Sequence, residues 1–314
     1  MSLTCTSLPP LNAVQDDAAM AGASGTQTVA AADGRTLTIA ECGDPDGFPV
    51  FLLHGTPGSR LDGQGNASAY ADVGARAIMY DRPGYGGSDR FRGRRVVDSV
   101  ADVSAIANSL GIERFAVSGG SWGGPHSLAV AARLPERVTR AACIAGPAPF
   151  DIPGFDWFAA MDAVNIKEIG WALEGEDLLH REIERMTAAW LERVNNDPTK
   201  AGDVEFSEAD RAVMASPEQH EMERRMLNEA FRHGVWGYVD DIFCLIHPWG
   251  FDVTEIRVPT RIDYGLTDVL VPPQHGEWLT HNVPNAEPVI DDQGGHFSAP
   301  KRVTERRRWL VQPI

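Results

Sequence analysis

The sequence lacks any uninterrupted run of about 18 or more apolar residues, so no segment is typical of a transmembrane helix. Positive charge is also scarce, because 28 Lys and Arg stand against 44 Asp and Glu and give a formal net charge of −16. Nucleic acid backbones and anionic lipid surfaces attract cationic proteins. The charge balance therefore argues against a nucleic acid or a membrane as the partner.

Cysteine is equally sparse. The four cysteines, at positions 5, 42, 143 and 244, are isolated, and none has the C-x-x-C spacing of a metal or redox site. The N-terminus has neither a basic start nor an unbroken apolar stretch, so it is not typical of a signal peptide. Together these features predict a cytoplasmic protein without a disulfide framework. Residues 1–25 are predicted to form a flexible tail or, alternatively, an irregular strap packed on the body.

Short apolar runs alternate with helical patterns between residues 26 and 150. Segments with the pattern of a buried strand alternate regularly with segments in which the apolar residues have helical spacing. This rhythm predicts an α/β fold with a parallel sheet and helices on both faces. The predicted strands are 28–31, 37–41, 49–53, 75–80, 114–118 and 138–145, and the predicted helices are 96–110 and 122–134.

The rhythm is interrupted from residue 151 to residue 250, where every apolar stripe has helical spacing. Strands are predicted again at 260–264 and 286–290, followed by an Arg-rich helix. We therefore expect a core formed by 26–150 and 251–314, with 151–250 as a helical lid. The lid region has nine Lys or Arg, twenty-one Asp or Glu and five of the eight tryptophans. Its acidic side chains form either a solvated outer face or a pocket that selects a cationic group.

The strongest local signal is GGSWGG at 119–124, which follows a predicted strand and opens a predicted helix. A serine between small residues at a strand-to-helix turn is typical of a nucleophile elbow, which exposes the hydroxyl. The start of the helix supplies a positive dipole and free N–H groups where an oxyanion forms. Ser121 is therefore the predicted nucleophile.

A serine hydroxyl needs a base, usually a histidine oriented by a carboxylate. His296 directly follows the last predicted strand, at the sheet edge where catalytic groups collect in parallel α/β folds. Asp268 follows the penultimate strand and is the predicted carboxylate, with Asp151 as the alternative. The chain order Ser121, Asp268, His296 is that of the α/β-hydrolase triad. Asp291 and Asp292 are interpreted as the end of the last strand.

Four other histidines are weaker candidates for the base. His54 also lies at a strand end, but its HGTPG setting favours a structural hydrogen-bonding role. His126 is expected along the helix that follows the nucleophile, and neither His247 nor His275 is placed by the pattern.

The loop HGTPG at 54–58 follows an earlier strand and predicts the second half of an oxyanion hole. The backbone N–H groups of Thr56 and Trp122 are the predicted donors to the developing negative charge. Pro57 has no N–H to donate. A tight turn without a catalytic part is the alternative interpretation of this loop.

Taken together, these motifs resemble the α/β-hydrolase superfamily from about Thr26 to the C-terminus. The resemblance implies a mostly parallel eight-stranded sheet with a helical lid, and it implies the triad and oxyanion roles given above. It implies no metal or other cofactor. The five matching segments are HGTPG at 54–58, YDRPGYGGSD at 80–89, GGSWGG at 119–124, YGLTDVLVP at 264–272 and GGHF at 294–297. The DRPGYGGS stretch is a structural loop in such proteins.

Within the superfamily, GGSWGG and the HGxPG loop resemble prolyl aminopeptidases and esterase-like relatives. The chain differs from those peptidases at Thr56, where they usually have glycine, and at Gly124, where they usually have serine. Prolyl aminopeptidases hold the substrate's free amino terminus with lid glutamates. Candidates for that role here are Glu174, Glu176, Glu182 and Glu184.

The leading hypothesis is a serine hydrolase that cleaves a carboxylic ester, lactone or thioester of a small molecule through an acyl-enzyme. A prolyl-type aminopeptidase is the alternative, and hydrolysis of a carbon–carbon bond uses the same triad. A non-catalytic ligand-binding protein is the hypothesis from another class, although a binder needs no triad. The sequence does not reveal the oligomeric state.

Overall fold

The computed structural model describes residues 24–62, 67–197, 204–297 and 300–313. These residues form one eight-stranded sheet with strand order β1-β2-β4-β3-β5-β6-β7-β8. The strands are β1 Ser24–Ala30, β2 Thr36–Gly43, β3 Phe48–Leu53, β4 Ala75–Tyr80, β5 Phe115–Gly120, β6 Val138–Ile144, β7 Thr260–Gly265 and β8 Ala286–Asp291. Strand β2 is antiparallel to both neighbours, and all other pairs are parallel. The α/β class and the mostly parallel sheet are confirmed.

Ten α-helices accompany the sheet in the described residues. They are α1 Ala67–Ala71, α2 Ser99–Ser109, α3 Gly123–Arg133, α4 Ala163–Glu174, α5 Glu176–Asn196, α6 Glu208–Met214, α7 Pro217–Ala230, α8 Trp236–Ile246, α9 Pro273–Asn282 and α10 Pro300–Leu310. The predicted helix at 96–110 begins as a 3-10 turn over Val96–Asp98 before α2 starts. None of the described helices is both long and apolar enough to cross a membrane.

The predicted tail falls mostly outside the described residues. Its last two residues, 24 and 25, belong to β1, so the predicted boundary is wrong there. The strand extends this far because its backbone pairs with β2 as far as Ser24 opposite Glu41. Ladder hydrogen bonds order a segment whose Ser and Gly content favours a loop.

The strands β2 to β7 are largely buried on both faces because their side chains alternate between two apolar layers, whereas the edge strands β1 and β8 are mostly exposed or half-buried. In β4, Ile78 and Tyr80 contact the layer that contains α2 and α3. Ala77 and Met79 contact the layer that contains α1 and α10. This burial explains why the short strands are continuous apolar runs in the sequence. The carboxyl ends of all eight strands except β2 lie at the same edge of the sheet.

Between β6 and β7, the described chain forms helices α4 to α8. The apolar stripe of α5 is turned inward, with Leu179, Ile183 and Val194 buried in the same core cluster as the sheet. All five tryptophans of this region are buried or half-buried. These helices pack over the carboxyl edge of the sheet, where the candidate site lies.

Candidate active site

Ser121 lies in the turn between β5 and α3 with a positive φ of 51°. This left-handed conformation is unfavourable for a residue with a side chain and is typical of a nucleophile elbow. The turn is tight, because a Cβ on Gly123 would approach the carbonyl oxygen of His54 to 2.5 Å. The Ser121 N–H donates to the Ile144 carbonyl at 2.7 Å and anchors the turn to β6.

Asp268 and His296 meet at the carboxyl ends of β7 and β8. The Asp268 Oδ2 atom lies 2.8 Å from His296 Nδ1. The other carboxylate oxygen, Oδ1, accepts from the backbone N–H groups of Leu270 at 2.8 Å and Val271 at 2.9 Å. Both side chains are almost completely buried. This network fixes the carboxylate and, through it, the tautomer and orientation of the imidazole.

The electrostatic surroundings favour a basic imidazole at position 296. Burial opposes protonation of His296, but the Asp268 carboxylate and, more weakly, that of Asp210 outweigh it and raise the histidine pKa. Because Nδ1 is committed to Asp268, the Nε2 atom is the one that can accept a proton from a reacting group.

Ser121 and His296 lie at the same edge of the sheet. Ile144, whose carbonyl binds the Ser121 N–H, and Ala145 line a small cavity together with His296. In the described part of the chain, neither the Ser121 hydroxyl nor His296 Nε2 makes a hydrogen bond. The structure therefore brings the acid and the base into contact and leaves the serine nearby without a hydrogen bond to the imidazole.

The HGTPG loop packs directly on the elbow. A Cβ on Gly55 would lie 3.4 Å from the Ser121 Cβ atom. Among the described residues, no acceptor is bound to the backbone N–H of Thr56 or of Trp122. Two free N–H groups beside the same serine are what an oxyanion hole requires. The Thr56–Pro57 peptide bond is cis.

A buried ionic cluster, which the sequence did not predict, holds this loop. The guanidinium of Arg82 donates to the carbonyl oxygens of His54 and Gly55 and to Thr56 Oγ1. Asp241, on α8, accepts from Thr56 Oγ1 and from Arg82. Because the buried Arg82 already donates to the carbonyl oxygens of His54 and Gly55, these carbonyls do not need the Thr56 N–H as a donor.

Asp241 is the centre of this cluster. It also accepts from Tyr85 OH at 2.9 Å and from Arg94 at 2.5 Å, and its side chain is 1% exposed. Burial opposes its ionisation, but the guanidinium groups of Arg82 and Arg94 outweigh it and hold the Asp241 pKa well below the ordinary value. Arg82 lies in the DRPGYGGSD stretch, for which the family resemblance implies only the role of a structural loop.

The other candidate histidines make hydrogen bonds to groups other than Ser121, Asp268 and His296. Burial lowers the pKa of His126 to about 3 and that of His275 to about 4, so both are neutral near pH 7. His275 accepts from the Ala148 N–H and contacts the Trp157 carbonyl. His54 lies in the buried interior beside Arg82, with its pKa lowered by burial and by that guanidinium. His247 is exposed.

The alternative acids are not at the imidazole. Asp151 is exposed after β6, and Asp292 is exposed after β8. Asp291 accepts from the Gln293 N–H and lies 3.7 Å from Arg302. Asp268 is thus the described carboxylate that hydrogen-bonds to His296.

The predicted lid glutamates do not converge on the site. Glu174 and Glu184 are exposed, and Glu182 pairs with arginines of its own helix at the surface. Glu176 pairs with the exposed Arg92. Among the described glutamates between β6 and β7, the buried one is instead Glu168, on α4, which no motif in the sequence identifies.

Glu168 is 2% exposed and accepts from Tyr238 OH at 2.8 Å. Burial raises its pKa to about 7. A carboxyl group with so few partners is costly to ionise in place, and a cationic group beside it would favour the charged form. No group of three or more His, Cys, Asp or Glu in the described ranges is arranged to hold a metal ion.

Comparisons with known proteins agree with this fold. A family model for the alpha/beta hydrolase fold matches residues 49–169. A proline iminopeptidase from Xylella fastidiosa is 36% identical over 110 residues, which are 34% of this chain and 35% of that protein. The match thus spans about a third of that relative's length.

Two longer matches extend over most of the chain. A 2-hydroxy-6-oxononadienedioate/2-hydroxy-6-oxononatrienedioate hydrolase from Burkholderia vietnamiensis is 26% identical over 84% of this chain and 85% of its own. An alpha/beta hydrolase fold protein from Nakamurella multipartita has a solved structure that covers 91% of this chain and 99% of its own, with a TM-score of 0.64 and 26% identity. Together with the sheet order and the elbow, these matches show that the chain has the alpha/beta hydrolase fold and is similar to hydrolases with that fold.

Proposed function

We propose that this protein is a serine hydrolase that cleaves a carboxylic ester, lactone or thioester of a small molecule through an acyl-enzyme. The observation that carries the proposal is the buried pair formed by His296 Nδ1 and Asp268 Oδ2, 2.8 Å apart, at the sheet edge that presents Ser121 on a strained turn. Elbow, base and orienting carboxylate are the three parts that acyl transfer by serine requires.

In the proposed reaction, Ser121 Oγ attacks the carbonyl carbon and His296 Nε2 takes the hydroxyl proton. The carbonyl oxygen becomes an oxyanion, which accepts from the N–H groups of Thr56 and Trp122. The carbon–oxygen or carbon–sulfur bond to the leaving group then breaks, and His296 returns the proton to that group. Water attacks the acyl-enzyme with His296 as base, and the acid product leaves Ser121.

The stabilisation of the oxyanion is a large part of the proposed mechanism. Loss of one donor from such a site typically raises the barrier by about 2.7–4 kcal/mol. The two N–H groups proposed here belong to backbone held from behind, one by the buried Arg82 and the other by the start of α3. Preorganised donors of this kind need no rearrangement when charge develops.

The test is a panel of short-chain nitrophenyl esters, lactones and thioesters, assayed with the parent and the Ser121→Ala variant. We expect turnover by the parent and a loss of about 10⁴-fold or more in the variant, with an unchanged circular dichroism spectrum. Labelling of the parent by a fluorophosphonate should map to Ser121. Full activity in Ser121→Ala would refute the mechanism, and a folded parent that neither labels nor turns over any substrate would favour a binding protein.

A prolyl-type aminopeptidase is the second candidate. It is favoured by the local match to a proline iminopeptidase and by the buried Glu168 in the lid, a carboxyl group that a substrate ammonium would stabilise in its charged form. A proline anilide assayed beside the ester panel separates the two functions. Turnover of esters without turnover of the anilide would reject the peptidase.

Carbon–carbon bond hydrolysis is the third candidate, because the relative from Burkholderia vietnamiensis is named for a 2-hydroxy-6-oxo dienedioate and matches most of the chain. A substrate of that class belongs in the same panel. Its turnover at a rate above that of the esters would replace the ester proposal while keeping the roles of Ser121 and His296.

A further inference from the structure

A carboxylate from the insertion lies against the loop that carries His296. Asp210, on α6, is completely buried, and its Oδ1 atom accepts from the backbone N–H of Phe297 at 2.7 Å. Its Oδ2 atom accepts from Ser207 Oγ at 2.9 Å, and Ser207 in turn caps α6 by accepting from the Asp210 N–H. The carboxylate is thus fixed from its own helix while it binds the neighbour of the catalytic base.

The contact extends to the other side of His296. A Cβ on Gly295 would overlap the Asp210 carboxylate and Ser207 Oγ, so the approach depends on glycine at 295. The ring of Phe206 lies 5.9 Å from that of Phe297. The segment that begins α6 therefore contacts the backbone on both flanks of the imidazole.

The charges that face this loop are few and mostly paired. Asp268 binds His296 directly, and Asp210 is the second carboxylate that acts on its charge. Two further acidic residues beside the loop have arginine partners. These pairs are Asp263 with Arg306, at 2.8 Å, and Asp291 with Arg302, at 3.7 Å.

We propose that Asp210 is a positioning residue supplied by the insertion, which holds the His296 loop in place and stabilises the imidazolium formed when Ser121 loses its proton. The hydrogen bond from Phe297 N fixes the backbone next to His296. The negative charge of the Asp210 carboxylate lies beside the loop that carries the imidazole. This inference rests on the proposed function, since the role it assigns is that of supporting a general base.

The test separates position from charge. Asp210→Asn keeps an oxygen that accepts from Phe297 N but removes the charge, whereas Asp210→Ala removes both. The matched control is Glu208→Gln, which removes the same charge from an exposed site on the same helix. For the ester turned over by the parent, kcat, KM and the pH profile of kcat/KM are measured for all three variants.

We expect Asp210→Ala to lose about tenfold or more in kcat with little change in KM, because a misplaced base impairs the reaction step more than binding. Asp210→Asn should recover most of that loss. Its acid limb should move to lower pH relative to the parent, because removal of a nearby negative charge disfavours the imidazolium. Glu208→Gln should match the parent in both respects.

The proposal is overturned if Asp210→Ala keeps the parent's kcat, or if the acid limb of Asp210→Asn superimposes on that of Glu208→Gln. Should Asp210→Ala fail to fold, Gly295→Ala serves in its place, since the added methyl group displaces the carboxylate from the loop side. The His296 Hε1 resonance, assigned with a His296→Gln variant, gives the pKa by NMR without any substrate. If the parent turns over no substrate in the panel, the proposed function is refuted. If the His296 pKa measured by NMR is the same in Asp210→Asn as in the parent, the role of Asp210 is refuted.

Discussion

Replacement of Asp241 by asparagine should both destabilise the fold and disturb the HGTPG loop, which carries a proposed oxyanion donor. The carboxylate lies between the guanidinium groups of Arg82 and Arg94, with side chains that are 0%, 3% and 1% exposed for Arg82, Arg94 and Asp241. Asp241→Asn leaves two buried cations without the anion that compensates them. It also places an amide where Thr56 Oγ1 and Tyr85 OH now donate.

The expected size follows from the burial. Removal of one partner from a buried ion pair typically costs about 3–5 kcal/mol, because the desolvated charge that is left has no compensation. With an unfolding entropy of about 2.1 cal/mol/K per residue, a 314-residue chain should lose about 5–8 °C in Tm. The proposed hydrolase should also react about tenfold more slowly with a fluorophosphonate, since Thr56 loses one of its anchors.

The neighbouring aspartate provides the control. Asp240 is on the same helix and accepts two hydrogen bonds, both 2.8 Å, from Arg90, whose side chain is 27% exposed. An ion pair with one partner open to solvent contributes only about 1 kcal/mol or less, so Asp240→Asn should lower Tm by about 1–2 °C. Calorimetry of the three proteins decides the matter. Equal Tm values for the two variants would refute the argument that the Asp241 cluster is energetically distinct.

Two further predictions concern pH. Because Asp268 raises the pKa of His296 above 6.5 and the base must be neutral, kcat/KM should fall as the pH drops through a value above 6.5; an acid limb centred below 6.5 would contradict the assignment. Burial raises the Glu168 pKa from 4.5 to about 7, so between these pH values the folded state binds a proton that the unfolded state has lost. The contribution of this group to stability is therefore fully present below pH 4.5 and is lost as the pH rises through 7. Glu168→Gln should therefore unfold like the parent at pH 4 or below and be more stable at pH 8, by up to about 3 kcal/mol in urea titrations. Equal stabilities at pH 8 would show that Glu168 ionises without cost.

The features that could be predicted from the sequence are those that depend on short segments of the α/β core. The elbow combines small residues with a strand before and a helix after, and the structure begins α3 at Gly123, one residue from the predicted start. Asp268 and His296 follow strands that are parallel neighbours, and the structure places their side chains 2.8 Å apart. The catalytic roles of Ser121, Asp268 and His296 stay predictions.

Helix α9 shows where local pattern fails. Its sequence, PQHGEWLTHN, contains glycine and few apolar residues, so no stripe with helical spacing marks it. The helix forms because tertiary packing compensates for weak propensity, with Leu279 and His275 fully buried against the core. Similarly, no spacing rule connects Asp241 with Thr56, which are 185 residues apart.

Two residues that could not be identified from the sequence, Asp210 and Asp241, lie in the region between β6 and β7. Asp241 of α8 accepts a hydrogen bond from Thr56 Oγ1 in the HGTPG loop, and Asp210 of α6 accepts one from the loop of His296. At the start of α4, the Asp162 N–H donates to the Val269 carbonyl at 2.7 Å and Asn165 donates to that of Leu270 at 2.8 Å, next to Asp268 in the chain.

Each loop that carries a proposed catalytic group, other than the elbow itself, is therefore hydrogen-bonded to the helical insertion. A cover that only shaped the substrate pocket would need no such hydrogen bonds to those loops. Substitutions in α4, α6 and α8 should accordingly change the geometry of catalysis as well as substrate choice. Since hydrogen bonds of this kind depend on how two distant segments pack, they become visible only when the insertion and the core are seen together.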